Sequence, residues 1–164
     1  INIEDIKSYL QRYEDENLEF KSTLLWNIIG KLKDKKIEES VLKTIAGFNN
    51  SEGGVLLIGV DDQKKVIGLN YDLQEGSLLD IDKFEIHLRN IMMERLIIDD
   101  WYISKNVKIK FEQIDNKTIC IVNVKKGNKP IYTKDNKFFI RSGNSTIELA
   151  INEIYEYIKN SFES

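Results

Sequence analysis

Apolar residues recur at helical spacing in four segments of the chain, and we predict an amphipathic helix in each of them. The four segments are residues 2–13, 37–50, 81–92 and 151–162. Asn2 is a candidate N-cap for the first helix. Gly53 and Gly54 follow the second helix, where glycine allows a sharp turn. The pattern therefore predicts N-terminal, middle and C-terminal helices.

Alternating or continuous apolar runs between these helices predict strands. Residues 55–60 are apolar on both faces, as expected of a buried central strand, and residues 18–21 alternate between apolar and polar side chains. Three hairpins are predicted, which pair residues 55–60 with 66–69, 107–112 with 118–124, and 131–132 with 138–140. The predicted fold class is α+β (mixed α/β), with a central, mostly antiparallel sheet built from hairpins and flanked by the helices, in a single domain of residues 1–164.

The composition is typical of one soluble globular domain. Of the 164 residues, 41% are hydrophobic and 31% are charged, and no apolar run approaches the roughly 18 residues that a membrane-spanning helix needs. The single cysteine, Cys120, excludes a disulfide framework and is ordinary in a reducing cytosol, so we expect a cytoplasmic protein with no membrane partner. The chain begins at Ile1 rather than methionine, and we expect it to be a piece of a larger protein.

The net charge of −3 argues against a non-specific nucleic-acid binder, but the charges are unevenly distributed. Residues 105–141 hold nine lysines and one arginine against three acidic residues, a net charge of +7. This basic segment is either the solvated face of strands or a track for a nucleic-acid backbone. The candidate contacts on such a track are Lys108, Lys110, Lys125, Lys126, Lys129 and Arg141.

The inventory of side chains excludes several chemistries. His87, the one histidine, cannot supply a two-histidine acid–base pair or a histidine-rich zinc site, and its position within the third helix favours a structural role. Cys120 lies between two isoleucines of a strand, which favours a buried thiol over a nucleophile. The glycine-rich segment at Gly53 lacks the Lys-Ser/Thr pair of a phosphate-binding loop.

Carboxylates with a lysine are the remaining candidates. Glu19 and Lys21 lie on one face of a predicted strand, about 7 Å apart, and Glu14 and Asp61 lie at the ends of regular elements. Converging carboxylates bind Mg²⁺ or Mn²⁺, and Lys21 would balance the charge that develops on a phosphodiester. Ordinary roles are the alternative. Asp61 and Asp62 suit a hairpin turn, Glu14 suits the surface, and Glu19 with Lys21 suits an ion pair.

A shared metal site constrains the chain between Glu14 and Glu19. A straight strand would separate these two residues by about 16 Å, and a continuous helix would point them about 140° apart. We therefore predict a bend at residues 15–17, whose sequence Asp-Glu-Asn favours turns.

Three blocks occur in order across nearly the whole chain: EDENLEFK at residues 14–21, IAGFNNSEGGVLLIGVDD at 45–62 and FIRSGNST at 139–146. Together they resemble the Schlafen-type, divergent AlbA-like domain. The resemblance implies a nucleic-acid-handling α/β domain with RNA or single-stranded DNA as its partner. It also implies a place in regulator-like or anti-phage defence proteins of prokaryotes, and in some members a metal-dependent endoribonuclease activity on transfer and ribosomal RNA.

In the ribonuclease members three carboxylates form the centre, and the matching positions here are Glu14, Glu19 and Asp61, with Asp62 as the alternative register. We therefore expect an Mg²⁺- or Mn²⁺-dependent nuclease in which Lys21 steadies the scissile phosphate. The alternatives are a non-catalytic DNA- or RNA-binding module of a transcriptional regulator or defence complex, and a protein-interaction domain. Because animal relatives join two such lobes, we expect a homodimer or a partner lobe in a larger chain. Arg141 suits either a phosphate contact or an ion pair with the acidic part of the chain.

Overall fold

The computed structural model describes residues 3–163, and side chains from Ile6 onward, so the N-cap predicted at Asn2 lies outside the described residues. The helices are α1 (Ile3–Leu10), α2 (Lys35–Asn50), α3 (Ile81–Arg95), α4 (Asp100–Asn106) and α5 (Ile151–Phe162). The strands are β1 (Leu18–Lys21), β2 (Trp26–Asn27), β3 (Leu32–Lys33), β4 (Gly54–Ile58), β5 (Val107–Ile114), β6 (Lys117–Val124), β7 (Phe139–Ser142) and β8 (Ser145–Glu148). A π-helical turn covers Tyr71–Glu75.

A four-stranded mixed sheet, in the order β1-β4-β6-β5, forms the centre of the fold. β1 runs parallel to β4 because the helix α2 connects them, and β6 is antiparallel to both of its neighbours. β5 and β6 are the predicted hairpin, closed by Asp115 and Asn116 at φ values of 51° and 63°. The α+β class is confirmed. Among the described strands of this sheet, however, only β5 and β6 form a hairpin of consecutive strands.

Both faces of the sheet are covered by helices. On one face, Ile58 of β4 belongs to a core shared with α2, α3 and α4. On the other face, Phe20 of β1 belongs to a core that includes Ile6 of α1. Successive residues of a strand point to opposite faces, so Glu19 and Lys21 lie on the α2 side of β1. This placement puts two of the predicted site residues beside the start of α2.

The four predicted helices are present as α1, α2, α3 and α5. α2 begins two residues before Ile37 because Asp34 caps it, accepting a hydrogen bond from the Lys36 N–H at 2.9 Å. α4 was not predicted, since its seven residues span too few turns to show a helical period. Within residues 3–163 no helix combines the length and the apolar character needed to cross a membrane.

Two predicted hairpins are present only as short contacts and not as pairs of strands. Residues 66–69 do not form a strand, and they meet the end of the β4 segment through the Val60–Val66 bridge and through hydrogen bonds from the Ile67 and Gly68 N–H groups to the Gly59 C=O. β7 pairs with β8 across the turn at Gly143, whose φ is 58°, rather than with residues 131–132. The predicted pairing of residues 131–132 with 138–140 is reduced to a bridge between Tyr132 and Phe138 and a hydrogen bond from the Thr133 N–H to the Lys137 C=O at 2.9 Å.

The buried side chain of Asn50, at the end of α2, explains the change of partner for β7. Its Nδ2 donates to the C=O groups of Ile131 and Phe139, both at 2.9 Å, and its Oδ1 accepts from the Ile131 N–H at 2.8 Å. The backbone groups that a ladder between these segments would use are therefore bonded to an amide side chain.

Gly53 turns the chain from α2 into β4. Its φ is +78°, and a Cβ at this position would lie 2.8 Å from both the Lys126 N and the Val124 O. A larger residue would be strained in the backbone and would clash with the end of β6. The predicted structural role of this glycine is confirmed.

Candidate functional site

The chain bends sharply just before β1. The Asp15 N–H donates to the Leu18 C=O at 3.1 Å, and Asp15 Oδ1 accepts from the Asn17 N–H at 2.8 Å. Asn17 Nδ2 then donates to the Gly53 C=O at 3.0 Å, which ties the turn to the start of β4. The bend predicted over residues 15–17 is confirmed.

The bend places Glu14 against the backbone of β1. Glu14 Oε1 accepts a hydrogen bond from the Phe20 N–H at 2.9 Å. Because Phe20 directly follows Glu19, the two glutamates are neighbours, and both line a cleft between β1, the start of α2 and the turn after β4. The structure therefore brings together two of the predicted carboxylates.

Glu19 is a nearly buried carboxylate, with 11% of its side chain exposed. Its Oε1 lies 3.3 Å from Lys21 Nζ and its Oε2 lies 3.6 Å from Arg141 Nη2. Oε2 is buried and accepts no hydrogen bond from the described residues. Burial raises the pKa of Glu19, the Lys21 ammonium opposes this shift, and the Glu14 carboxylate adds to it. Glu19 thus offers one carboxylate oxygen that has no hydrogen-bond donor.

Lys21 is held between β1 and α2. Its Nζ lies 3.3 Å from Glu19 Oε1 and donates to Ser40 Oγ at 2.8 Å. Lys36, in the first turn of α2, lines the same cleft. The N-terminus of a helix also carries a partial positive charge, so the cleft combines carboxylates with fixed positive groups.

The two aspartates after β4 are placed differently. Asp61 Oδ1 accepts the backbone N–H groups of Gln63 and Lys65, both at 2.9 Å, and so closes its own turn. Asp62 is exposed and lines the cleft beside the two glutamates. Of the two registers that the sequence leaves open, the structure puts Asp62 at the cleft.

The cleft has a volume of about 500 Å³ and is rich in oxygen atoms. These belong to the carboxylates of Glu14, Glu19 and Asp62 and to the hydroxyls of Ser22, Thr23 and Ser40. Hard cations such as Mg²⁺ select oxygen donors, and Mg²⁺ is usually held by one or two carboxylates together with water. In the described part of the chain, no three His, Cys, Asp or Glu side chains form a group that could hold an ion. The neighbouring Glu14 and Glu19 carboxylates are nevertheless oxygen donors of the kind that such a cation selects.

Arg141 lies inside the protein, with only 1% of its side chain exposed. Its Nη2 donates to the C=O groups of Asp15 at 2.5 Å and Leu18 at 3.4 Å, and lies 3.6 Å from Glu19 Oε2. Of the two roles that the sequence leaves open, the structure therefore shows the ion pair with the acidic part of the chain. Arg141 joins both sides of the bend that carries Glu14.

The predicted lysine contacts on β5 lie far from the cleft. β5 is at the opposite edge of the sheet from β1. Lys110 pairs with Ile121, and the register continues through β4 to Phe20, so Lys110 and Lys108 lie on the face opposite Glu19. The structure does not bring these two lysines to the carboxylates.

The other three predicted lysines follow β6. The last residue of β6, Val124, pairs with Gly54 at the start of β4, about 13 Å along that strand from the end near Asp62. Lys126 Nζ lies 3.2 Å from Glu52, and Lys129 Nζ lies 4.7 Å from the centre of the Tyr102 ring. Lys125 is exposed. Contact between nucleic acid and the lysines on β5 and after β6 stays a prediction.

Sequence reasoning missed the two polar side chains that α2 contributes to the cleft, Lys36 and Ser40. They are four positions apart and so lie on one face of α2. The available signal was Asp34, an N-cap residue just before the apolar period of this helix. Starting the helix there would have placed both side chains on its first two turns.

His87 and Cys120, for which the sequence favoured structural roles, both lie outside the cleft. His87 Nε2 lies 2.5 Å from Oε2 of the buried Glu38, whose Oε1 accepts from Arg95 Nη2 at 3.0 Å. Cys120 is buried, and this burial raises the pKa of its thiol. Neither His87 nor Cys120 lines the cleft.

We expect Glu19 to make the protein less stable as the pH rises above its ordinary pKa of 4.5. Its folded-state pKa is raised, so the folded protein binds this proton more tightly, and the associated stability is lost as the pH rises through the folded-state value. The free energy of unfolding of Glu19→Gln, measured by chemical denaturation, should therefore increase relative to wild type between about pH 4 and about pH 7. Glu16→Gln, in the same turn but exposed, is the matched control. A constant difference between Glu19→Gln and wild type over this range would contradict the assignment.

Among solved structures, the DIP2311 protein from Corynebacterium diphtheriae matches with a TM-score of 0.64 and 18% sequence identity, over 97% of this chain and 32% of that chain. This chain thus spans about a third of the length of DIP2311. The N-terminal domain of a RecG-related protein from Nitrosomonas europaea matches with a TM-score of 0.52 and 24% identity, over 77% of this chain and 78% of that one. At these identities the two likenesses show the fold alone.

No curated protein matches the chain. The profile of the Schlafen, AlbA_2 family matches residues 14–150, a range that contains all three sequence blocks and every residue of the cleft. The chain therefore belongs to the Schlafen AlbA_2 family.

Proposed function

We propose that this domain is a divalent-cation-dependent nuclease that acts on RNA or single-stranded DNA, with its centre in the cleft of Glu14, Glu19 and Asp62. The observation that carries the proposal is the pair of neighbouring carboxylates, Glu14 and Glu19, which line one cleft and of which Glu14 adds to the raised pKa of Glu19. Two carboxylates held side by side repel each other. A hard cation bound between them in the cleft would relieve this repulsion.

The side chains of the cleft have separate roles in this proposal. Glu14, oriented by the Phe20 N–H, and Glu19 would hold Mg²⁺ or Mn²⁺, with Asp62 as a further oxygen donor. When bound, such a cation polarises a phosphodiester and makes water more acidic. Lys21, held in place by Ser40 Oγ, binds the charged oxygens of the scissile phosphate.

A nucleic-acid ligand is also supported by the comparisons. The family and the Nitrosomonas protein, which is named as related to the ATP-dependent DNA helicase RecG, both point to nucleic acid. RNA rather than DNA, and a homodimer or a partner lobe that completes the protein, are further parts of the proposal.

A second candidate is a non-catalytic binding module. It is favoured by the lack, among the described residues, of three metal-ligating side chains that converge on one point. In such a module Glu19 would serve to hold Lys21 and Arg141, and the lysines of the cleft would bind the nucleic-acid backbone.

Hydrolysis of labelled transfer RNA and single-stranded DNA, with Mn²⁺ or Mg²⁺ and with a chelator, tests the proposal. We expect cleavage with the metal alone, and at least about a 100-fold lower rate for Glu19→Gln, because losing even an indirect metal contact typically costs 10- to 100-fold. Asp62→Asn should also lower the rate, and more than Asp61→Asn does. Glu16→Gln should cleave as the wild type does, since Glu16 is exposed and outside the cleft.

If the chelator leaves cleavage unchanged, or if Glu19→Gln cleaves at the wild-type rate, the hydrolytic proposal fails. Salt-sensitive binding without any cleavage would instead support the binding module.

A further inference from the structure

A second groove adjoins the carboxylate cleft. It has a volume of about 430 Å³ and shares Glu14, Phe20 and Asp62 with the cleft. The rest of its lining consists of Tyr13, Gln63, Lys64 and Asn144. The two concave surfaces are therefore continuous, and we call the second one the Tyr13 groove.

We infer that the Tyr13 groove binds an unpaired nucleotide of a single strand, with its base stacked on the Tyr13 ring. The inference rests on the proposed function for the class of ligand, and it adds the part of the strand next to the carboxylates. It assigns Tyr13 as a substrate-binding residue that touches the base, and Lys64 as a contact to the phosphate backbone.

Tyr13 is an aromatic side chain that the fold leaves in solvent. It is 82% exposed, although the next residue, Glu14, is tied to β1. Lys64 Nζ lies 4.2 Å from the centre of the ring, so an ammonium occupies one face while most of the ring surface is open. Consecutive Cα atoms are 3.8 Å apart, which keeps this ring immediately beside the carboxylate cleft.

The side chains that line the Tyr13 groove can stack on a base and form hydrogen bonds with its edge. Exposed aromatic rings bind bases by stacking, whatever the base, and this is how single strands are commonly held. The amide side chains of Gln63 and Asn144 can donate and accept hydrogen bonds at a base edge. Asn144 comes from the β7–β8 turn, so the third sequence block contributes directly to this groove.

The charges along the two grooves alternate in a way that suits a phosphate backbone. Lys64 lies in the Tyr13 groove, Glu14 and Asp62 lie where the grooves join, and Lys21 and Lys36 lie in the cleft. A nucleic-acid strand that follows both grooves meets lysine side chains on either side of the carboxylates. Such an arrangement holds the flanking phosphates and leaves one phosphate above the acidic centre.

A base in a duplex is stacked on its neighbours and cannot lie on a protein ring without being unpaired. The Tyr13 groove therefore favours single strands over duplexes. This preference separates the inference from simple attraction of a phosphate backbone to lysines, which acts on both forms.

The test measures the affinity of wild type, Tyr13→Ala and Tyr13→Phe for a labelled single-stranded oligonucleotide, as RNA and as DNA, and for the matching duplex. A chelator is present, so that nothing is cleaved. We expect Tyr13→Ala to weaken single-strand binding about 5- to 150-fold, the range for loss of one stacked base. Tyr13→Phe keeps the ring and should stay within about twofold of wild type. Tyr155→Ala, which removes a 74% exposed tyrosine from α5, is the matched control and should have no effect.

The inference is overturned if Tyr13→Ala binds single strands as wild type does, if Tyr13→Phe loses as much as Tyr13→Ala, or if wild type binds duplexes as well as single strands. Binding that depends on Tyr13 without cleavage in the metal assay would defeat the nuclease and leave the inference standing. Metal-dependent cleavage with no effect of Tyr13→Ala on affinity would support the nuclease and overturn the inference about Tyr13.

Discussion

Replacing Arg141 with alanine is expected to lower the free energy of unfolding by about 3–5 kcal/mol. The guanidinium is almost completely buried and donates to the C=O groups of Asp15 and Leu18 and to Thr146 Oγ1. Its removal takes one hydrogen-bond donor from each of these acceptors and leaves the buried Glu19 carboxylate with one cation fewer. Chemical denaturation of the variant and the wild type measures the difference.

Arg12 provides the matched control for Arg141. It pairs with Asp15 at 2.7 Å in the same bend, but 42% of its side chain is exposed, so Arg12→Ala should cost no more than about 1 kcal/mol. Arg141→Lys keeps the charge but loses the planar guanidinium. Its loss in free energy of unfolding should therefore lie between those of Arg12→Ala and Arg141→Ala. Equal losses for Arg141→Ala and Arg12→Ala would show that the buried guanidinium does not hold the bend.

Replacing Asp72 with alanine is expected to cost at least about 3 kcal/mol. Asp72 is fully buried in the π-helical turn, and its carboxylate accepts the backbone N–H groups of Leu24 at 2.7 Å, Leu25 at 3.0 Å and Trp26 at 3.1 Å. Alanine would leave three donors without an acceptor. These residues continue the chain directly from Thr23, which lines the cleft, so we also expect a less ordered cleft in this variant.

Two further variants make the Asp72 result specific. Asp72→Asn keeps one oxygen and should lose less stability than Asp72→Ala, because one of the two bonding positions is preserved. Asp82→Ala changes an exposed aspartate of α3 and should stay within about 1 kcal/mol of wild type. The explanation would be wrong if Asp72→Ala and Asp82→Ala had the same free energy of unfolding.

Much of the fold could be predicted from the sequence, and the successes are local. α2 and α3 each bury one face along several turns, so a stretch of consecutive residues shows their apolar period. The β5–β6 hairpin shows in the sequence as an alternating run, a run that is apolar on both faces, and the turn residues Asp115 and Asn116 between them.

The failures involve partners that are distant in the sequence. β1 pairs in parallel with β4, 37 positions away, through the helix between them. β7 pairs with β8 because Asn50 bonds to the backbone groups of Ile131 and Phe139, which lie 81 and 89 positions later in the chain. A single sequence contains no periodic signal for a buried amide that bonds to two distant segments.

The sequence predicted one part of the candidate site, the bend between Glu14 and Glu19, and left another part open, the choice between Asp61 and Asp62. The spacing of Glu14 and Glu19 was enough to predict the bend, because only a turn can bring residues five apart to one point of a strand. The register of Asp61 and Asp62 was open in the sequence because both suit the same turn. In the structure Asp61 Oδ1 accepts hydrogen bonds from its own turn, whereas Asp62 lines the cleft.

The amino-acid sequence alone established the α+β class, the order of the three blocks and the pair of glutamates beside a lysine, since these rest on local patterns and on the order of residues along the chain. The burial of Arg141, the separation of the basic segment from the carboxylates, and the continuity of the Tyr13 groove with the cleft came only from the tertiary structure. Burial and shared surfaces depend on which elements pack together in space. In this chain the pairing of β1 with β4, the packing of β7 and β8 against α2, and the hydrogen bond of Arg141 to the bend bring residues 13–21, 36–40, 62–64 and 141–146 into one neighbourhood.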